Sequence, residues 1–118
     1  MPLKTDGTNG DPLAFLSRWS DAVAAARALA PALRERAPQC DTLRAVPKDT
    51  IEDLHRSGLF QLMVPRKFGG AGLGFSELVA TGAEIAAACG SSGWVYCVLA
   101  GHNWCVALMP EKAQAEIF

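Results

Sequence analysis

The sequence predicts an all-α domain of five or six helices with one extended connector, on three observations. First, apolar residues recur at helical spacings over two stretches. One holds Leu13, Leu16, Val23, Ala26, Leu29, Ala30 and Leu33; the other holds Leu78, Val79, Gly82, Ile85, Ala86 and Cys89. Second, the punctuation is that of helices: Pro12, Pro47 and Pro110 stand at helix starts and Gly58 at a helix end. Third, residues 85–110 contain no formally charged side chain, as expected of helices covered on most sides.

In chain order, residues 1–10 read as a flexible polar tail and residues 11–118 as one domain. Asp11 and Pro12 supply an N-cap and a first-turn proline. Arg18, Asp21, Arg27 and Arg34 fall between the apolar positions of the first helix. Pro31 is expected to kink or divide that helix and Pro38 to mark its end, because a proline ring removes a backbone donor and crowds the preceding turn. A short helix follows from Pro47, with acidic residues early and Gly58 as its stop.

Residues 59–65 form a continuous apolar run and read as the extended segment. Four glycines within residues 69–74 then demand a shaped loop. Their spacing matches neither GxGxxG nor a P-loop, so a tight turn is expected rather than a phosphate cradle. Helix resumes near Phe75, capped by Ser76 or a neighbour, and its alanines and Gly82 permit close approach of another helix. A break at residues 90–93, with Ser91 and Ser92 as caps, leads into an apolar helix over residues 94–109. Pro110 opens an amphipathic helix that runs to the last residue. That unfinished pattern, with the uncharged helices before it, predicts the front part of a larger protein or a subunit that associates.

Composition excludes several classes of function. The chain has 118 residues, 50% apolar and 19% charged, which suits one packed domain and not a disordered chain. Eleven basic residues face twelve acidic ones, so no basic field draws nucleic acid or an anionic membrane. The opening residues lack an apolar leader. Cys40, Cys89, Cys97 and Cys105 form no CxxC pair; reduced, cytoplasmic thiols used as small core residues are expected. Gly90-Ser91-Ser92-Gly93 and Gly101-His102-Asn103 interrupt the uncharged stretch, which argues against a membrane span. His102 and Cys105 are three apart, but no third metal ligand is evident nearby, so no metal is expected.

His102 is the candidate catalytic residue. An imidazole in so apolar a helix is expected to be buried and neutral, able to accept a hydrogen bond or a proton. The alternative is a core histidine bonded to a backbone carbonyl. Trp94 lies eight residues earlier, about 80° away on a regular helix and two turns along. Both can border one cavity, although Trp94 read as a large core side chain is an even alternative. Asn103 points nearly opposite Trp94 and suits a backbone-satisfying role; Trp104 suits packing. His55, Arg66 and Lys67 read as solvated.

The order of signals resembles one family. It runs from Leu54-His55-Arg56-Ser57-Gly58-Leu59 through Val64-Pro65-Arg66-Lys67-Phe68-Gly69-Gly70 to Glu84-Ile85-Ala86-Ala87-Ala88 and Gly90-Ser91-Ser92-Gly93-Trp94. The chain is similar to the N-terminal helical domain of the acyl-CoA dehydrogenase superfamily. It is closest to the flavin-dependent monooxygenase branch, the oxygenase components of two-component phenol and 4-hydroxyphenylacetate-type hydroxylases. The Trp94–His102 spacing favours that branch. The resemblance implies a central β-domain and a C-terminal bundle, neither present in this chain, which alone is expected to be inactive.

It further implies reduced FMN or FAD from a separate flavin reductase, O2, and hydroxylation of an aromatic small molecule through a flavin C4a-hydroperoxide. A homotetramer is implied for the full-length protein. His102 would take a proton from a phenol, and Trp94 would wall the flavin or substrate pocket. The rival readings are an acyl-CoA dehydrogenase or oxidase fragment, which gives His102 no task, and a stand-alone helical interaction module. The module would need charged outer faces on the helices that this sequence does not supply.

Overall fold

The computed structural model describes residues 19–118; the polar tail and the expected helix start at Asp11 and Pro12 lie outside them. The described residues form five α-helices: α1 (Trp19–Leu43), α2 (Lys48–Arg56), α3 (Phe75–Ala88), α4 (Gly90–Ala107) and α5 (Glu111–Ile117). No strand occurs among them, as the all-α expectation requires.

The first helix is not divided at Pro31 and, contrary to the expectation from sequence, does not end at Pro38; α1 continues through both prolines to Leu43. Both prolines stand on its exposed side. The carbonyls that lose their donors belong to Arg27 and Arg34, also exposed, so water can replace the missing bonds. The opposite side buries Ala22, Val23, Ala26, Leu33 and Cys40. The chain leaves α1 through Arg44 in the left-handed region, φ 55°.

Helix α2 begins after Pro47 and ends through Ser57 and the left-handed Gly58, φ 81°, as the punctuation predicts. It is fastened to α1 by Arg36, which donates to Asp53 at 2.8 Å; Arg56 grips the same carboxylate at 2.8 Å.

Residues 59–65 are not extended. They coil through a short 3-10 turn over Leu59–Gln61, and a second such turn follows at Arg66–Phe68. No neighbouring strand offers hydrogen bonds, so the backbone satisfies itself locally. The N–H groups of Ala71, Gly72 and Leu73 return to the carbonyls of Gln61, Val64 and Leu62. The glycine-rich segment permits this closure. Gly69 and Gly72 take positive φ, and a side chain at Gly70 would collide with the Val64 backbone. Leu59, Phe60, Leu62, Met63, Val64 and Ala71 are thereby buried.

Helix α3 packs mainly against α1 and α4. Its N-terminus is fixed by Glu77, whose carboxylate accepts the Gly74 N–H at 3.0 Å. The break before α4 is a single residue, Cys89, and residues 90–93 belong to α4, which ends at Ala107; the expected start at residue 94 is corrected. One extended residue, φ −156° and ψ 112°, suffices to reverse the chain. The two helices then run antiparallel, as their contacts show: Ala86 meets Gly93, Gly82 meets Cys97, Leu78 meets Gly101 and Phe75 meets Trp104. A Cβ added to Gly93 or Gly82 would lie 2.5 Å from the facing helix. The close approach expected from small residues is present. No described helix is long and apolar enough to cross a membrane.

Candidate functional site

The rotation of α4 about its axis decides which of its side chains can do chemistry. Ser92, Gly93, Tyr96 and Ala100 face inward. The Tyr96 hydroxyl meets that of Thr81 on α3 at 2.7 Å, and Thr81 donates to the Glu77 carbonyl at 2.7 Å. Burial pushes the Tyr96 phenol far above its ordinary range, so it stays a neutral donor. Asn103 adds a second anchor by donating to the Phe60 carbonyl at 2.9 Å, the backbone-satisfying role expected of it.

With that side inward, Trp94, Val98, His102 and Cys105 fall on one exposed stripe along the other side. Their spacing keeps them within about 80° of one another. Trp94 is 76% exposed, and Leu99 and Trp104 flank the stripe, half-exposed. From α3, Phe75 contacts Trp104 edge-on with ring centroids 5.0 Å apart, and Val79 stands uncovered nearby in the same pair of helices. The structure therefore brings Trp94 and His102 to one side of one helix, about 12 Å apart along its axis.

Two expectations need correction. His102 is exposed rather than buried by this chain, and Trp94 is not a core side chain. The reason is the same for both. An uncharged helix was expected to be covered on most sides, but the inward side of α4 is made of Tyr96 and small residues, leaving the bulky ones outside. Cys105 is exposed too, against the expectation of a core thiol, whereas Cys40 and Cys89 are buried.

Trp94 borders two shallow hollows. One, of about 410 Å³, is apolar and includes Ala86, Gly93, Cys97 and Val98. The other, of about 590 Å³, includes Cys40, Arg44, Ser91 and Val95. A third, of about 400 Å³, gathers His55, Phe60, Gln61, Phe68, Asn103 and Phe118 from four separate segments. Sequence spacing gave no sign of it, because no two of those segments are neighbours in a single periodic pattern. Lys67 is exposed, as expected, while reaching Glu111 at 3.4 Å and the Phe68 ring. Among the described residues no three His, Cys, Asp or Glu side chains gather to hold a metal ion.

Chemically, the α4 stripe is a flat apolar wall with one imidazole. An aromatic ring system can lie on Trp94 and Val98 while His102 offers a nitrogen to a polar substituent.

Comparison with known proteins matches the chain to one family. The family model described as acyl-CoA dehydrogenase, N-terminal domain, matches residues 22–116. The oxygenase component of a FADH2-dependent resorcinol hydroxylase from Rhizobium sp. (strain MTP-10005) is 44% identical over 85 residues, 72% of this chain and 21% of that protein. The oxygenase subunit HsaA of a flavin-dependent monooxygenase from Rhodococcus jostii (strain RHA1) is 38% identical over 91 residues, 77% of this chain and 24% of that protein. A dibenzothiophene monooxygenase from Rhodococcus erythropolis is 40% identical over 77 residues, 65% of this chain and 18% of that protein. The chain thus spans about a fifth to a quarter of the length of these curated relatives. No solved structure matches it. On the family match across most of its length and the helical architecture that accompanies it, the chain belongs to the acyl-CoA dehydrogenase N-terminal domain family.

Proposed function

We propose that this chain supplies the N-terminal helical domain of a flavin-dependent monooxygenase that hydroxylates a phenolic or other aromatic ring. The observation that carries the reading is the shared exposed stripe of Trp94 and His102 on α4. In the complete oxygenase this stripe becomes a wall of the reaction cavity, roofed by other polypeptide. Reduced FMN or FAD, delivered by a separate reductase, supplies the oxygen-transfer chemistry with O2. The Rhizobium relative's name carries FADH2.

The residues of this chain do the rest. Trp94 and Val98 give a flat ring a surface to lie on, and their apolar area excludes water from one side of it. A ring nitrogen of His102 accepts the proton of a phenolic hydroxyl. The resulting phenolate pushes electron density to the ortho carbon, the position that must attack an electrophilic oxygen. The roofed cavity supplies the desolvation that this chain alone does not give His102. A cytoplasmic homotetramer is the assembly we propose. An acyl-CoA dehydrogenase or oxidase would leave His102 without a task, and the matched relatives carry oxygenase names.

The test is His102→Ala in the complete oxygenase, assayed with its reductase. Hydroxylated product formed per reduced flavin consumed should fall, with the hydroxylation rate roughly a hundredfold lower, the scale of a general base. Hydroxylation at the unaltered rate would remove His102 from the mechanism.

A further inference from the structure

Cys40 on α1 and Cys89 at the α3–α4 break are 49 positions apart in sequence, yet their sulfurs stand 3.7 Å apart. Each is only 5% exposed. Neither has a part in the oxygenase reading.

The two thiols differ in character. Cys89 immediately precedes the first turn of an 18-residue helix, where backbone N–H groups lack partners within the helix. Burial opposes ionisation of Cys89. Hydrogen bonds from the Ser92 hydroxyl and N–H and from the Ser91 N–H, together with the contact to the Cys40 sulfur, outweigh it and hold the thiol below its ordinary range. Cys40 goes the other way, pushed up by burial and by its interactions with the Cys89 sulfur. One sulfur is thus disposed to be the nucleophile, and its neighbour keeps its proton. The hollow of about 590 Å³ lined by Cys40, Gly90, Ser91 and Trp94 brings a small molecule to Cys40 and to the residue that follows Cys89.

We propose that Cys40 and Cys89 form an oxidation site for small hydroperoxides, at which Cys89 reacts first and Cys40 closes a disulfide. In the first step the Cys89 thiolate attacks the terminal peroxide oxygen. The O–O bond breaks, an S–O bond forms, and the alkoxide or hydroxide that leaves with the electron pair takes a proton from water, leaving a sulfenic acid. In the second step the Cys40 sulfur attacks the Cys89 sulfur. The S–O bond breaks, its oxygen departs as water with the Cys40 proton, and the S–S bond forms. Overall, two thiols and one hydroperoxide give one disulfide, one alcohol (water when the oxidant is hydrogen peroxide) and one water. The sulfurs need to close from 3.7 Å to about 2.05 Å, within reach of side-chain rotation. The product ties the last turns of α1 to the start of α4, one turn before Trp94.

Cys97 and Cys105 serve as internal controls. Burial pushes the Cys97 thiol up, and Cys105 is the most accessible of the four. The folded protein is treated with one equivalent of hydrogen peroxide, its remaining thiols are alkylated after unfolding, and unreduced peptides are mapped by mass spectrometry. The expected product joins the Cys40 and Cys89 peptides, with Cys97 and Cys105 recovered alkylated. In Cys40→Ser the sulfenic acid at Cys89 should persist and take a dimedone label; in Cys89→Ser residue 40 should take none. Preferential oxidation of Cys105 or Cys97, or recovery of both Cys40 and Cys89 as alkylated thiols, overturns the proposal. Should either serine variant fail to fold, the peptide map of the unaltered protein decides alone.

Discussion

The hydroxyls of Thr81 and Tyr96 meet at 2.7 Å in the interior, where α3 and α4 pack. This contact helps to fix the face that α4 shows to the outside. Tyr96 is completely buried, so residues on the opposite side of the helix, Trp94, Val98 and His102 among them, must point away. The Phe60 ring, 6.2 Å from that of Tyr96, and the Asn103 bond to the Phe60 carbonyl hold the same orientation from the connector.

Tyr96→Phe removes the phenolic donor while keeping the ring. Thr81 retains its bond to the Glu77 carbonyl, so the loss is one buried hydrogen bond, about 1 kcal/mol. Urea unfolding should show a lower midpoint with an unchanged slope. An unchanged midpoint would mean that the hydroxyl pair contributes nothing to the packing of α4.

Gly93→Ala places a methyl group 2.5 Å from the Ala86 Cβ and 2.6 Å from its Cα. The neighbour is backbone and cannot yield cheaply, so a cost of about 2 kcal/mol is expected. Gly90→Ala is the control, since a Cβ there meets nothing within 4 Å. Thermal unfolding of the two variants should separate them clearly, with Gly90→Ala within about 0.5 kcal/mol of the parent.

Glu77 gives a pH dependence of known sign. Burial opposes its ionisation, but its own N–H, the Gly74 N–H and the Ser76 hydroxyl outweigh that and hold the carboxyl below its ordinary range. A carboxyl depressed by folding contributes stability that is fully present above its unfolded value, about 4.3, and lost as pH falls through the folded value. Glu77→Gln should therefore cost about 0.5 kcal/mol at neutral pH, the scale of a negative charge at a helix N-terminus. In acid the two proteins should converge. A difference that persists undiminished below both values would contradict the account.

Trp94→Ala separates function from stability. With 76% of Trp94 exposed, its removal should change the stability of this chain by less than about 0.5 kcal/mol. In the complete oxygenase the same change should weaken binding of the aromatic substrate or reduced flavin, read as a raised KM or a lower yield of product. A large loss of stability with unaltered turnover would assign Trp94 to packing instead.

Particular residues show how much of this was legible in the sequence. Pro47, Gly58 and Pro110 mark helix boundaries where local rules place them, because a fixed φ or a positive φ is a property of the residue itself. Gly82, with the alanines of α3, announced a close helix pair. Pro31 and Pro38 misled, since their cost depends on whether water can reach the carbonyls they leave unpaired, and only the exposed side of α1 answers that. Residues 59–65 misled because a continuous apolar run has no period, so coil and strand read alike. At the site, the positions of Trp94 and His102 on one helix were legible, and their exposure was not.

The sequence by itself determined which segments are helical and that Trp94 and His102 stand two turns apart on one of them, since both follow from local backbone preferences and the helical repeat. The tertiary structure decided which way that helix faces. Helix α4 is apolar nearly all round, so hydrophobicity gives it no preferred side. The choice falls to small residues that admit α3, to the Thr81–Tyr96 hydroxyl pair and to Asn103. The meeting of Cys40 with Cys89 was decided in the same way, because only the packing of α1 beside the α3–α4 break brings positions so distant in sequence into contact.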